Sequence, residues 1–406
     1  MIELLSPAGS LEKGMAAIEY GADAIYFGLK GMNLRAFASN LSITDAEHLI
    51  EFVHDRGKRV YVTLNIFPYD EDFSTIRKYA KWCQAKNVDG VIVSDPGVIS
   101  LLMEEKIEIP IHLSTQANTL NSFSASFWGR NGVKRIILAR ELSLDQVKKI
   151  CEKNSDMEFE IFIHGALCIS YSGRCFLSKY MDGRDGNRGE CVQCCRWQYK
   201  IKDVEKDGEW YEVFEDEKGT YIFNSKDLKS IELLPEILDT GVKSLKIEGR
   251  MRSLYYVSLV TSVYRRGIDV LKNDGREKFY RILPQLEREL EKISTRGYTT
   301  NFLKGIPDAN SYSFLKGGVK KKESFVGILR FKLQNSWYIL EVKNSFSVGE
   351  GIEMLLGNGD VRSIFLLEAI NFKGEKVEKL HAGLLYRVRL DGEYPLNYFI
   401  RKKINQ

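Results

Sequence analysis

The sequence lacks long apolar runs, and this absence excludes several classes of protein. No window approaches the roughly 18 uninterrupted apolar residues that a membrane span needs, so we expect no membrane partner. The N-terminus, MIELLSPAGSLEKG, has no basic segment followed by an apolar stretch and a cleavage site. The net charge is only +4, from 59 Lys plus Arg against 55 Asp plus Glu, which is too small to indicate a nucleic-acid binder by itself. We therefore expect a cytoplasmic protein.

Two common hydrolase motifs are also missing. The chain has no HExxH zinc-binding helix and no GxSxG nucleophile elbow. Its 406 residues, 44% of them hydrophobic, suffice for one large domain and one small domain.

Cysteine is present and unevenly distributed. Structural disulfides are disfavoured in a reducing cytoplasm, so the seven cysteines are more typical of thiols, metal ligands or nucleophiles. Cys83 and Cys151 stand alone in helix-like segments. The other five fall within 28 residues and are Cys168, Cys175, Cys191, Cys194 and Cys195.

The first part of the chain alternates short apolar runs with amphipathic segments, a rhythm that predicts βα units. In SITDAEHLIEFVHDRG, for example, Ser42 or Thr44 can begin a helix and Gly57 can end it. The predicted strands are Glu3 to Ser6, Ala24 to Gly28, Arg59 to Ile66, Gly90 to Ser94, Ile109 to Ser114, Arg135 to Ala139, Glu158 to His164 and, after a long interruption, Ser244 to Ile247.

Eight such strands favour a parallel α/β barrel of the TIM type, with a doubly wound open sheet as the alternative. Polar or small residues follow many of the predicted strands, and in a barrel these strand ends converge on one mouth, where such folds build active sites. The residues are Pro7, Ala8, Gly9, Asn65, Asp95, Gln116, Glu141, His164, Glu248, Gly249 and Arg250.

Composition divides the chain into three parts. We assign residues 1–271 to the barrel, with a cysteine-rich loop at 165–200 and an insertion at 201–222 that reads as a strand pair across an acidic turn. Residues 272–322 form a helical segment and a Lys-rich linker. From 323 to 406, alternating runs separated by NG, KGE and DGE turns predict a small all-β barrel domain.

The cysteine spacing is C-x6-C-x15-C, followed by x2 to Cys194 or x3 to Cys195. Thiolates crowd in this way when they surround a positive centre. Four of them suit either tetrahedral zinc or a [4Fe–4S] cluster, and spacing alone does not separate the two. Thiol catalysis and accidental clustering are the other interpretations.

Neighbouring polar residues are candidates for substrate contacts. His164 stands at a strand end, where it would donate a proton or hydrogen bond to substrate, or else serve packing. Glu248 and Arg250 form a candidate charge pair at the mouth, with a structural salt bridge as the alternative. Asn65 and Gln116 offer amides that would read a carbonyl or hydroxyl, or satisfy loop backbone groups.

Basic residues surround the cysteines. The guanidinium group of arginine can hold a carboxylate through two hydrogen bonds, so these arginines are candidates for binding an acidic substrate. Alternatively, they bond carboxylates or carbonyls of the loop, or offset the negative charge of a thiolate-bound cluster. These arginines are Arg174, Arg184, Arg188 and Arg196. Short basic runs at Lys320–Lys322 and Arg401–Lys403 would meet an RNA backbone, or else form a solvated surface.

The segment from Glu160 to Cys175, EIFIHGALCISYSGRC, resembles the signature of the U32 family, long described as collagenase-like peptidases. The likeness extends to LSPAG, DAIYFG, TLN, LSTQ, NRGECVQ, SKDL, KIEGRM and the closing β domain. Family members resembling this chain hydroxylate without molecular oxygen. One group acts on the wobble uridine of tRNA, another on a ribosomal RNA cytidine and a third on ubiquinone precursors.

The resemblance implies a tRNA uridine hydroxylase that takes its hydroxyl group from prephenate, a dicarboxylate, and holds a [4Fe–4S] cluster. The implied cluster ligands are Cys168, Cys175, Cys191 and Cys195. The family usually has proline where this chain has Cys194, which makes Cys194 either a spare thiol or an alternative fourth ligand.

The remaining roles follow the same implication. The catalytic candidates are His164, Glu248 and Arg250, and the substrate-binding candidates are Asn65, Gln116, Tyr171, Arg184 and Arg188. Three alternative functions stay open: a U32-type peptidase, for which His164 and Cys168 would have to act as a pair; a hydroxylase of ribosomal RNA or of ubiquinone precursors; and a binding protein whose metal, zinc included, is structural.

Overall fold

The computed structural model of the chain describes residues 2–29, 40–168, 170–197, 215–216, 219–220, 225–295, 297–307 and 325–403. Its helices are α1 (Leu11–Glu19), α2 (Ile43–His54), α3 (Phe73–Ala85), α4 (Pro96–Glu104), α5 (Ser122–Arg130), α6 (Leu144–Lys153), α7 (Leu177–Asp182), α8 (Leu234–Asp239), α9 (Leu254–Asn273) and α10 (Arg276–Leu290). The strands before the second domain are β1 (Glu3–Pro7), β2 (Ala24–Gly28), β3 (Arg59–Leu64), β4 (Gly90–Val93), β5 (Ile111–Leu113), β6 (Val133–Ile137), β7 (Glu158–Gly165), β8 (Glu215–Asp216), β9 (Gly219–Thr220), β10 (Asp227–Lys229), β11 (Ser244–Ile247) and β12 (Tyr298–Thr299).

Eight of these strands form the closed parallel barrel that the sequence predicts. β1 to β7 pair in chain order, β1 also pairs with β11, and β11 pairs with β7 to close the ring. Each of the eight predicted runs overlaps one barrel strand. The ends of these strands therefore meet at one mouth, and the open-sheet alternative is excluded.

Local sequence signals set the helix ends. The Ser42 hydroxyl accepts a hydrogen bond from the Asp45 backbone N–H and so caps α2, which settles the choice between Ser42 and Thr44. The chain turns after α2 at Gly57, whose φ of +63° suits glycine. No helix in the described part of the chain combines the length and apolar character that crossing a membrane requires.

The barrel interior contains a buried ionic layer. Lys246 Nζ lies 2.8 Å from Glu160 Oε1, and Arg135 contacts both Glu160 and Glu3. All four residues are buried, because their strands turn these side chains into the barrel. The layer forms a polar floor beneath the mouth.

The predicted insertion lies mostly outside the described residues. Within it, the structure describes β8 and β9, which pair antiparallel. The Lys-rich part of the predicted linker, including Lys320–Lys322, also lies outside the described residues.

The second domain is all-β, as the sequence predicts. Its strands pair antiparallel in a seven-stranded sheet of order β17-β16-β21-β13-β14-β20-β18, and β15 pairs with β19. The strands are β13 (Phe325–Lys332), β14 (Trp337–Val342), β15 (Phe346–Ser347), β16 (Ile352–Leu355), β17 (Val361–Ile364), β18 (Leu366–Ile370), β19 (Lys379–Leu380), β20 (Leu385–Leu390) and β21 (Phe399–Lys402).

The two domains share an aromatic interface. Tyr20, at the end of α1, stacks on Phe399 with ring centroids 5.2 Å apart, and its hydroxyl accepts from the Phe399 backbone N–H at 2.9 Å. Tyr255 on α9 stacks on Phe325 at 5.3 Å. The all-β domain therefore packs directly on the helical outside of the barrel.

Candidate functional site

A cavity of about 140 Å³ opens at the barrel mouth. Four of the predicted site residues line it from three strand ends: Asn65 after β3, Gln116 after β5, and Glu248 and Arg250 after β11. The barrel thus brings together side chains that are up to 185 positions apart in the sequence.

Four cysteines of the loop after β7 line the same cavity, and they are Cys168, Cys175, Cys191 and Cys195. Cys168 is exposed and the other three are half-buried. Backbone contacts hold the loop in place, because Cys175 N–H donates to Asn187 and Val192 N–H donates to Ser178. The loop therefore covers the mouth and turns four thiols toward it.

Cys194 differs from these four, because only 2% of it is exposed and it does not line the cavity. Burial raises the pKa of its thiol, and the nearby thiols of Cys191 and Cys175 raise it further. Cys194 is therefore close to the group, but it faces a different environment.

The thiols suit a soft metal or an iron–sulfur cluster by their chemistry and by their common cavity. In the described part of the chain, however, no three His, Cys, Asp or Glu side chains form a group that could hold a metal ion. The thiol groups of the four cysteines and their shared cavity fit an iron–sulfur cluster. Their side chains do not converge closely enough to form a complete set of ligands in this structure.

Amide groups also line the cavity. Asn65 Nδ2 donates to Gln116 Oε1 at 2.8 Å, and the Ser114 hydroxyl donates to the same oxygen at 2.7 Å. Asn65 Oδ1 is buried and has no hydrogen-bond partner among the described residues. A buried acceptor without a partner is costly, so this oxygen is suited to a donor group on a bound molecule.

Two glycines allow the segment that carries Glu248 and Arg250 to approach its neighbours. A Cβ on Gly9 would lie 2.0 Å from the Arg250 carbonyl oxygen, and one on Gly165 would lie 2.4 Å from the Glu248 carbonyl oxygen. Glu248 Oε2 accepts from the Tyr26 hydroxyl at 3.3 Å, and Arg250 donates to Thr63 at 3.2 Å. Any side chain at either glycine position would displace the two charged residues.

His164 requires a correction, because its ring faces away from the mouth. The register of β7 against β11 passes from Phe162 opposite Lys246 to His164 opposite Ile247, which skips Ile163. This bulge turns the ring toward the outer helices, where Nδ1 lies 3.3 Å from the Tyr264 hydroxyl. His164 is 1% exposed and forms no catalytic pair with Cys168 across the cavity.

The two arginines predicted to bind substrate also lie elsewhere. Arg188 donates to both carboxylate oxygens of Asp72 and to the Phe67 carbonyl, and its hydrogen bond lowers the pKa of Asp72. Arg184 is largely exposed and pairs with Asp182 at 3.1 Å. Neither arginine lines the cavity, because Asp182 and Asp72 hold the two side chains elsewhere. Tyr171, in contrast, lines the cavity and is 47% exposed.

The structure adds two cavity residues that motif reading missed, Lys246 and Arg140. The Lys246 ammonium lies 4.4 Å from the centre of the Tyr26 ring, and burial lowers its pKa while Glu160 opposes that shift. Arg140 follows β6, donates to the Ala166 carbonyl at 2.8 Å and lies 3.9 Å above the Phe162 ring. A lysine within the apolar run from Ser244 to Ile247 was the available sequence signal, since a charge in a buried strand needs a partner.

Comparison with known families covers both domains. A family model described as "Peptidase family U32" matches residues 9–313, and one described as "Peptidase family U32 C-terminal domain" matches residues 321–401.

Three curated relatives cover most of the chain. The chain is 37% identical to "tRNA hydroxylation protein P" of Escherichia coli (strain K12), over 92% of this chain and 90% of the relative. It is 39% identical to "tRNA hydroxylation protein P1" of Bacillus subtilis (strain 168), over 86% and 82%. It is 35% identical to a protein of Porphyromonas gingivalis (strain ATCC BAA-308 / W83) named "Collagenase", over 75% and 73%.

Proposed function

We propose that this chain, which belongs to peptidase family U32, is an enzyme that hydroxylates RNA. Two relatives that it resembles over most of its length are named as tRNA hydroxylation proteins. The observation that carries the proposal is the single cavity lined by four cysteines and by the polar ends of the barrel strands. Such a cavity combines a place for a redox-active group with a place for a polar substrate.

The reaction we propose is hydroxylation of carbon 5 of the tRNA wobble uridine, with prephenate as the hydroxyl donor. In net terms, the carbon–hydrogen bond of the base becomes a carbon–oxygen bond, and the donor exchanges its hydroxyl group for the hydrogen. The base loses two electrons and the donor gains two, so no molecular oxygen is consumed.

The cofactor we propose is a [4Fe–4S] cluster held by Cys168, Cys175, Cys191 and Cys195, which would supply electron-transfer chemistry when bound. The chain's own groups would orient the substrates. The Gln116 amide and the Glu248 carboxylate offer hydrogen bonds at the mouth, and the loop that lines the cavity would shield bound substrates from water.

Exposed aromatic side chains on the covering loop support RNA as the substrate. Phe176 is 74% exposed and Tyr180 is 87% exposed, and Tyr171 and Trp197 are also exposed. Bases stack on such side chains in single-stranded RNA, at about 1–3 kcal/mol per base. An anticodon loop presents unpaired bases of this kind, whereas an isolated soluble enzyme gains nothing from exposing these rings.

The test is the nucleoside content of tRNA from cells that lack this gene and any second gene of the family. We expect 5-hydroxyuridine-type nucleosides to disappear on mass spectrometry of digested tRNA. Wild-type protein should restore them, Cys175→Ala should not, and Cys83→Ala, a matched change in α3 far from the cavity, should restore them.

Retention of the full modification in the deletion strain would contradict the proposal. If ribosomal RNA alone lost a hydroxylated nucleoside, RNA hydroxylation would stand and the tRNA substrate would be wrong.

A further inference from the structure

A second cavity, of about 370 Å³, lies beside the cavity at the barrel mouth. Cys168, Tyr171 and Arg140 line both cavities, so the two share a wall. The other walls of the second cavity come from the segments after β6 and after β12, through Glu141 and Phe302. A single water needs about 10–15 Å³, so this cavity has room for a molecule as large as a nucleoside.

Two neighbouring polar groups of the second cavity lack hydrogen-bond partners. Glu141 Oε2 and Arg140 Nε are both buried, and neither has a partner among the described residues. The first atom is an acceptor when the carboxyl is ionised, and the second is a donor. Burial raises the pKa of the Glu141 carboxyl, and the Arg140 guanidinium opposes this shift. Buried polar groups are usually satisfied by water or by a ligand, so this pair suits a molecule that presents a donor next to an acceptor.

The uracil ring presents that pattern. Its N3–H group is a donor, and the carbonyl oxygens on either side of it are acceptors. Cytosine differs, because its N3 is an acceptor and its exocyclic amine is a donor. An ionised Glu141 would therefore accept a hydrogen bond from uracil and repel the N3 lone pair of cytosine. Enzymes that modify a base read it through this edge after the base has swung out of its stack.

Aromatic and basic side chains of the second cavity also suit a nucleotide. Tyr171 is 47% exposed and Phe302 is half-buried, and rings of this kind stack on bases. Arg174 lines the same cavity, is exposed and forms no ion pair with a carboxylate of the described residues. Its charge is available to a phosphate of the RNA chain. Swinging out costs least for a base that is already unpaired, as in an anticodon loop.

We infer that the second cavity holds the target base of the RNA, and that Glu141 and Arg140 select uracil over cytosine through the N3 edge of the ring. The inference rests on the proposed function and deepens it, because it assigns the choice of pyrimidine to two residues outside the cysteine loop. It also places the base against Cys168, one of the proposed cluster ligands.

The test is competitive binding of two anticodon stem–loop RNAs to anaerobically purified protein, one with uridine and one with cytidine at the wobble position. We expect wild type to prefer the uridine RNA roughly tenfold or more, the discrimination that one well-formed pair of hydrogen bonds provides. Glu141→Gln keeps the size of the side chain and adds an amide donor that cytosine N3 can accept, so the preference should fall to within about twofold. Glu152→Gln, the same change on the exposed face of α6, should keep the wild-type preference.

Replacing a stacking ring should have a different effect. Phe302→Ala should weaken the binding of both RNAs equally, by roughly tenfold, because stacking does not depend on the identity of the base. Phe123→Ala, a change at a ring on α5 that is 85% exposed, should weaken the binding of neither RNA.

Thermal unfolding identifies any variant that fails to fold. The inference is overturned if wild type binds the two RNAs equally or prefers cytidine, if Glu141→Gln keeps the wild-type preference, or if Glu152→Gln loses it as well. If Glu141→Gln does not fold, Phe302→Ala carries the test, and an unchanged affinity for both RNAs overturns the inference. In each of these cases the nucleosides of tRNA from the deletion strain report separately on RNA hydroxylation.

Discussion

At the residue scale, Cys194 and Cys195 are adjacent in sequence and differ in what surrounds their side chains. Cys195 lines the cavity with three other cysteines, whereas Cys194 is buried outside the lining. The spacing along the chain does not separate the two residues, since a ligand three or four positions after Cys191 is acceptable in either case. The direction of each side chain therefore decides between them.

This difference predicts the metal content of five Cys→Ala variants. Iron and acid-labile sulfide should be lost when Cys168, Cys175, Cys191 or Cys195 is replaced and kept when Cys194 is replaced, because only the first four reach the cavity. The measurement is anaerobic quantitation of iron, sulfide and zinc per chain. Zinc without iron would exclude the proposed cluster, and loss of iron from Cys194→Ala alone would exchange the roles of the two neighbours.

At the scale of the element, the bulge in β7 reverses the side chains at the end of the strand. Without the skipped residue, simple alternation would turn His164 into the barrel, in line with Phe162. Because of the bulge, His164 packs among Tyr256, Tyr264 and Tyr298. The histidine that the sequence predicts for the cavity therefore does not line it. A single extra residue in the ladder thus changes the chemistry of the site.

The buried His164 predicts how stability depends on pH. Burial lowers its pKa to about 3, Asp227 opposes this shift, and Arg252 and Lys229 add to it. An unfolded histidine takes up its proton near pH 6.5, so the unfolded state binds more protons as the pH falls and stability decreases from about pH 6.5 toward pH 3.

Between pH 7 and pH 5 we expect the protonation of His164 on unfolding to cost the wild type roughly 2 kcal/mol of stability. The His164→Gln variant should lose correspondingly less stability over the same range. Urea unfolding at pH 7 and pH 5 measures this, with the exposed His48→Gln as the control. An unchanged pH dependence in His164→Gln would contradict the prediction. The buried His112 and the ion-paired Asp72, whose pKa values are also lowered, contribute to the pH dependence that remains.

At the scale of the whole molecule, Arg401 joins the two domains. It is fully buried on β21, its Nη1 lies 2.7 Å from Glu289 of α10, and its Nε donates to Glu353 at 2.7 Å. Nη1 also donates to the Tyr255 hydroxyl of α9. The sequence left two interpretations of the run Arg401–Lys403, contact with RNA or a solvated surface. Both are wrong for Arg401, because its side chain is buried and its charge is neutralised inside the interface.

Replacing Arg401 should loosen the contact between the domains. Removing one member of a buried ion pair leaves the other charge unpaired and costs about 3–5 kcal/mol, so we expect Arg401→Met to lower the free energy of unfolding by about that amount. The neighbouring Lys402→Met removes an exposed pair with Glu350 and should cost less than about 1 kcal/mol. Denaturant unfolding compares the two variants, and equal losses would contradict the buried role of Arg401.

The order of strands and helices, the all-β second domain and the five crowded cysteines were determined by the sequence itself. Periodicity and turn residues act over a few positions, so they can be read along the chain. Because the ends of parallel barrel strands must converge, the presence of Asn65, Gln116, Glu248 and Arg250 at one mouth was predictable as well.

The direction of individual side chains was decided only by the tertiary structure. Whether Arg188 meets a ligand or Asp72, and whether Arg401 faces solvent or Glu289, depends on residues far away in the sequence. Lys246 and Arg140 entered the site for the same reason, since their neighbours in the cavity come from other strands. A side chain's environment is the sum of such distant contacts, and folding alone brings them together.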